Sequence, residues 1–254
     1  MIRLSRIISV VLLLCSFVDR TLAQDESNID DLAAVMINFD FGVQLPGGDL
    51  ADVFGFNNTI AAGIEYRFSD SPLSIRLGVD YLFGRTVKKD VLNELRTRQG
   101  YLIGTDGLPA DVFLRERGVN GHFGLTWNQN LVKGANRFEL VASAGGSYLI
   151  HWIRIQDDRQ SADQIRGEYK KGYDRRRAGF GLHQFIGIRY LSNDRRINFI
   201  AGFDLTQAWT KSVRPYNFDT MEADNTTNMD LLHGFRIGWI IPFYFNQSTE
   251  NIYY

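Results

Sequence analysis

Ionisable side chains recur in this sequence at positions flanked mostly by apolar residues: Asp40, Glu65, Arg67, Arg76, Asp80, His122, Glu139, His151, His183, Arg189, Asp204 and Arg236. Three chemistries are open to such a set. Carboxylates facing guanidinium groups form ion pairs. Imidazoles near carboxylates bind a transition metal or share protons near neutral pH. A serine close to a histidine and an acid is the set that nucleophilic hydrolysis needs. Ion pairing is the simplest, because Asp40, Glu65, Asp80, Glu139 and Asp204 nearly balance Arg67, Arg76, Arg189 and Arg236. Metal binding would draw on His151 and His183 with Asp40 or Asp80, but no tight ligand spacing supports it, and hydrogen-bonded imidazoles are the plainer reading. For hydrolysis, Ser147 lies four residues before His151, a separation of roughly 13 Å along an extended strand and beyond hydrogen-bond reach. The expectation is therefore no catalytic residue, no metal and no cofactor.

The elements that hold these residues alternate strictly. Val35, Ile37, Phe39, Phe41 and Val43 are interleaved with Met36, Asn38, Asp40, Gly42 and Gln44. Ile60 to Phe68 and Leu73 to Phe83 repeat the pattern, and Val119 to Trp127, Phe138 to Trp152, Phe180 to Tyr190, Ile197 to Trp209 and Phe235 to Phe245 repeat it less perfectly. A period of two is the mark of a strand with unlike faces. Most of these segments have the roughly 9 to 11 residues that a tilted strand needs to cross a bilayer. Short connections at Ser69 to Pro72, Asn128 to Asn136 and Ser192 to Asp194 alternate with long ones at Leu45 to Asn58, Thr86 to Arg115, Gln156 to Arg176 and Lys211 to Met229.

The N-terminus reads separately. Arg3 and Arg6 precede an apolar run from Ile7 to Val18, followed by Thr21-Leu22-Ala23. That order predicts a secretory signal peptide over residues 1–23 and a single domain over 24–254. The only cysteine, Cys15, falls inside the leader, so neither a disulfide nor a cysteine metal site is expected in the exported chain. The mildly acidic balance gives no reason to expect nucleic acid as a partner.

No apolar run after Ala23 is long enough for a membrane helix, so a spanning chain must close its strands into a barrel to pair every backbone group. The charged face must then point to the axis and the apolar face to lipid, since no soluble core holds so many charges. Glycines such as Gly78, Gly124, Gly145 and Gly238 share the charged face and make room in a narrow lumen. Aromatics gather near predicted strand ends, with Tyr66, Phe68, Trp127, Tyr190, Phe243 and Phe245 at one side and Tyr81, Phe83, Tyr148, Trp152 and Trp209 at the other. They read as interfacial girdles. The fold class expected is all-β, an eight-stranded antiparallel up-and-down transmembrane β-barrel with a polar, plugged lumen. Folding about the short turn after Phe68 sets Glu65 opposite Arg76, and the same arithmetic about the last long loop sets Asp204 opposite Arg236.

In this architecture the chain resembles the eight-stranded outer-membrane barrels, among them the OmpA membrane domain, OmpX and the PorT-like barrels of Bacteroidetes. The resemblance covers nearly all of residues 24–254 and rests on strand pattern. It implies an integral protein of the bacterial outer membrane, inserted by the barrel-assembly machinery, with both termini periplasmic and the long loops outside. Tyr253-Tyr254 resembles the terminal aromatic signal read by that machinery, and nothing after Phe245 is long enough for a wall-binding domain. Partners would be outer-membrane lipids and lipopolysaccharide, whose phosphates suit Lys170, Lys171, Arg175, Arg176 and Arg177 in the third long loop. Acids interleaved there, Asp157, Asp158, Asp163, Glu168 and Asp174, permit a merely solvated loop instead. In the second loop Val87, Val91, Leu92 and Leu95 recur at helical spacing, which fits either a short amphipathic helix on the rim or a mobile loop with scattered apolar residues. A protein partner bound through the loops fits a structural or interaction role. A lipid A-modifying enzyme or a narrow channel is the alternative, although the His-x-Ser-Asn stretch of lipid A deacylases is absent.

Overall fold

The structure, a computed structural model, describes residues 33–131, 137–159, 162–192 and 197–245. The expected signal peptide, residues 1–23, and Tyr253-Tyr254 lie outside these residues, as do parts of the second and third short turns. Eight strands form one closed antiparallel meander. They are β1 (Ala34–Gly48), β2 (Asn57–Arg67), β3 (Leu73–Gly84), β4 (Val112–Asn130), β5 (Arg137–Asp157), β6 (Arg177–Leu191), β7 (Asn198–Ser212) and β8 (Thr227–Tyr244). Each pairs with its neighbours in sequence, and β1 closes on β8 from Ala34 opposite Tyr244 to Gly48 opposite Asp230. No barrel edge is left unpaired, which is the condition for a sheet in lipid.

The two faces divide as the alternation demands. Ile60, Leu77, Phe123, Ile186 and Phe203 stand outward, each more than half exposed. Trp239, midway along β8 and opposite Phe39, also faces out. Such a continuous apolar band is foreign to a soluble monomer and suited to hydrocarbon. Every ionisable residue assigned to the inner face is buried there. Parity overrides polarity where they conflict: Gln184 is exposed on the outside, and Phe185 is buried inside under the Arg76 guanidinium.

The strands overrun their expected limits toward the long loops, most in β4, β5 and β8. Their extra inward positions carry apolar residues, Ile153, Ile155 and Leu232, joined by Leu149, Leu82 and Ala208. The loops fold down onto them. Helix α1 (Leu50–Val53) delivers Leu50 and Phe54, the second loop delivers Val91, Leu92, Leu102 and Ala110, and the third delivers Ala162, Ile165 and Tyr173. Of the two readings of the second loop, the amphipathic α-helix on the rim is not formed. Among the described residues its only helical piece is a 3-10 turn at Asn93–Leu95, and Val91 and Leu92 point into the mouth of the barrel. Bonds from Gly55 N to Thr86 O and Lys88 N to Val53 O lock the first two loops together. The result is an apolar plug at the long-loop end.

Register confirms one expected pair and corrects the other. Glu65 faces Arg76. Asp204 faces Gly234 and Arg236 faces Gly202, so the last hairpin is offset by two residues from the symmetric arrangement. Even so, both side chains remain on the inner face and still meet.

Candidate functional site

The lumen is filled by stacked layers of charge. Nearest the short turns, Arg67 on β2 forms two bonds with Glu139 on β5, at 2.9 and 2.5 Å. Arg189 on β6 reaches Glu65 at 2.6 Å, Glu139 at 3.2 Å and Asn128 at 2.9 Å. Ser74 donates to Glu65 at 2.7 Å. A charge taken out of water is tolerable only when paired and hydrogen-bonded, and in this layer each is.

At mid-height Arg236 is the hub. Its guanidinium lies 3.0 Å from Asp80, 3.4 Å from Asp204 and 3.6 Å from Asp40. Arg76 binds Asp40 at 3.1 Å and approaches Glu65 at 4.0 Å, which links the two layers. Gln44 caps Asp204 at 2.8 Å. Gly238 makes this hub possible, since a Cβ there would fall 1.8 Å from the Asp40 carboxylate.

His122 on β4 and His183 on β6 stack beside this hub with ring centroids 4.1 Å apart. The pairing of His151 with His183 is thus corrected. His183 lies opposite Gly145, whereas His151 lies opposite Arg177, six residues further along β5. His151 binds Asp230 at 2.9 Å and meets Phe54 edge-on. His122 belonged to the inner face by parity, but its contact with His183 spans the intervening strand β5 and depends on two registers at once. Ser147 makes no hydrogen bond with His151, whose Nε2 is taken by Asp230.

The basic third-loop residues are largely engaged within the protein. Arg177 is buried in the mouth, bound to Asp224 at 2.5 Å and to the Thr226 carbonyl at 2.7 Å. For Asp224 burial pushes the carboxyl up, but hydrogen bonds from Thr226 and the Arg177 charge outweigh it and hold it below its ordinary value. Arg175 is paired with Asp219, Lys171 with Glu168 at 2.8 Å, and Arg176 lies over the Trp152 ring. Lys170 is half-buried.

A different basic group emerges on the outer wall. Arg85 continues the outward parity of β3, Arg115 and Arg117 are outward on β4, and Arg154 is outward on β5. Arg117 stands opposite Phe83 and Trp152, and Arg115 opposite Arg154. None of the four forms an ion pair among the described residues, although Arg117 donates to the Glu116 carbonyl and Arg115 lies over Phe113. With Phe56, Asn58 and Phe83, three of them line a groove of about 550 Å³. Sequence spacing hides this cluster, because its members sit on three strands, the first two joined by a long loop, and meet only through strand register.

No family model matches the sequence, and no curated protein matches it. Among solved structures the chain is similar to the N-terminal β-barrel domain of Pseudomonas aeruginosa OprF, at 13% identity over 82% of this chain and 96% of that chain, with a TM-score of 0.36. It is similar to Ail, the attachment invasion locus protein of Yersinia pestis, at 8% identity over 83% and 99%, with a TM-score of 0.39. A major outer membrane protein from Thermus thermophilus gives 11% identity over 82% and 99%, with a TM-score of 0.41. At these values the likeness reaches no further than general architecture. The chain's own geometry defines it as a closed eight-stranded barrel, apolar on its outer wall and ion-paired within.

Proposed function

We propose that the protein is an integral outer-membrane barrel, closed to bulk flow, that serves a structural or interaction role and holds lipopolysaccharide phosphates against its outer rim. Its long-loop end faces outward and its short turns and termini face the periplasm, the usual disposition of such barrels. Insertion by the barrel-assembly machinery follows from the same placement. The layered lumen charges and the loop plug support closure, since eight strands enclose only enough space for side chains.

The observation that carries the lipid contact is the row Arg85, Arg115, Arg117 and Arg154, outward and without acid partners, just past the aromatics Phe83 and Trp152. Phosphate groups of a glycolipid leaflet lie at this height, and guanidinium groups bind phosphate in bidentate fashion. Lys170 and Lys171 are a lesser contribution. Binding of purified lipopolysaccharide to the refolded protein tests the reading. Combined Arg85→Ala, Arg115→Ala and Arg117→Ala substitution is expected to weaken it about tenfold or more, the loss of at least one charge-assisted bond. Dephosphorylated lipopolysaccharide should bind the parent and the variant alike. Equal affinity of both proteins for the phosphorylated form would remove the rim from the account.

A further inference from the structure

Between the apolar plug and the charged layer nearest the short turns, four buried polar groups converge. Asp80 on β3, His122 on β4 and His183 on β6 place one potential ligand atom each within 4.8 Å of the others, and all three residues are buried. Ser147 on the intervening β5 lies opposite His122. Both nitrogens of His122, Nε2 of His183 and Oγ of Ser147 are buried without a hydrogen-bond partner. A buried polar atom left without a partner is costly, and here several lie close together. The His122 ring packs directly on the Gly78 backbone, where a Cβ would fall 2.4 Å from its Nε2.

From this geometry we infer a divalent transition-metal site of the zinc type, with His122, His183 and Asp80 as ligands and Ser147 or a water completing the shell. Two imidazoles and one carboxylate suit zinc, with ligand distances of about 2.0–2.2 Å. Donor atoms as far apart as 4.8 Å must close by about 1 Å to meet such an ion, and the two rings, stacked at 12°, must turn out of parallel so that both lone pairs point at it. Asp80 Oδ1 is held by Arg236 at 3.0 Å, leaving Oδ2 turned to His122 Nδ1 at 3.7 Å and Asn120 at 3.4 Å. Charge favours a cation as well. Arg236 and Arg76 meet three carboxylates at this height, Asp40, Asp80 and Asp204, so one negative charge is left over. A metal here ties β3, β4 and β6 across the lumen. With both ends filled, it enters while the barrel closes and leaves slowly afterward.

The test uses the untagged full chain refolded into detergent micelles with excess zinc, freed of loose metal by gel filtration against a chelator. Zinc per folded chain is then measured by mass spectrometry. The wild type and His233→Gln should retain about one zinc per chain, and His122→Gln and His183→Gln below about a tenth of that, as loss of a ligand requires. Wild-type protein that keeps no zinc, or histidine variants that keep as much, overturns the site and leaves the imidazoles as lumen packing. Should either variant fail to fold, the cobalt-loaded wild type decides. A visible spectrum of low-coordinate cobalt supports the site, and one like aqueous cobalt refutes it.

Discussion

At Arg189 two carboxylates, Glu65 and Glu139, converge on one fully buried guanidinium. Arg189→Met keeps the bulk and removes the charge, which leaves both acids short of a partner. Breaking a buried pair in this way is expected to cost about 3–5 kcal/mol, read from urea unfolding in micelles. A loss under 1 kcal/mol would mean that water already reaches this layer. Which residues line the lumen was legible from parity alone, since a charge between two greasy neighbours has only one tolerable side. Who touches whom was not. Arg67 finds Glu139, and Arg236 adds Asp80 to its neighbours on the adjacent strands, across the lumen and not along a hairpin. Partners of that kind depend on the registers of several strand pairs together.

Strand number and direction were legible because lipid imposes one rule on every outward position. The upper ends of the strands were not, because the same rule lapses where inward positions meet loops: Leu149, Ile153 and Leu232 look like noise in the alternation until the plug that covers them is seen. The last hairpin's offset escaped for a related reason, since a long loop need not be symmetric about its midpoint. Paired cysteines test that register. Ile237→Cys with Ala201→Cys, residues directly opposite, should crosslink readily, whereas Ile237→Cys with Phe203→Cys should crosslink poorly. The reverse preference would restore the symmetric hairpin. The plug and the charged layers are separate seals. Replacing residues 88–110 with a short Gly-Ser turn should leave the barrel folded and still without stable open conductance in planar bilayers, because the ion-paired layers beneath remain. A large steady current from that variant would assign the whole seal to the plug.

For the molecule as a whole, one assignment underlies everything: hydrocarbon touches the outward rows, and charge faces the axis. A barrel turned inside out would bury Phe203 and Trp239 and expose Asp80 and Arg189, the opposite of their burial here. Reconstituting the native chain with a lipid that generates a carbene in its acyl chain, then mapping adducts by peptide mass spectrometry, reads this assignment without any mutation. Adducts are expected on Ile60, Leu77, Ile186, Phe203 and Trp239, with none on Glu65, Asp80, Arg189 or Arg236. Adducts on those four charged residues, or a chain that stays in the aqueous phase and takes up no label, would contradict the account.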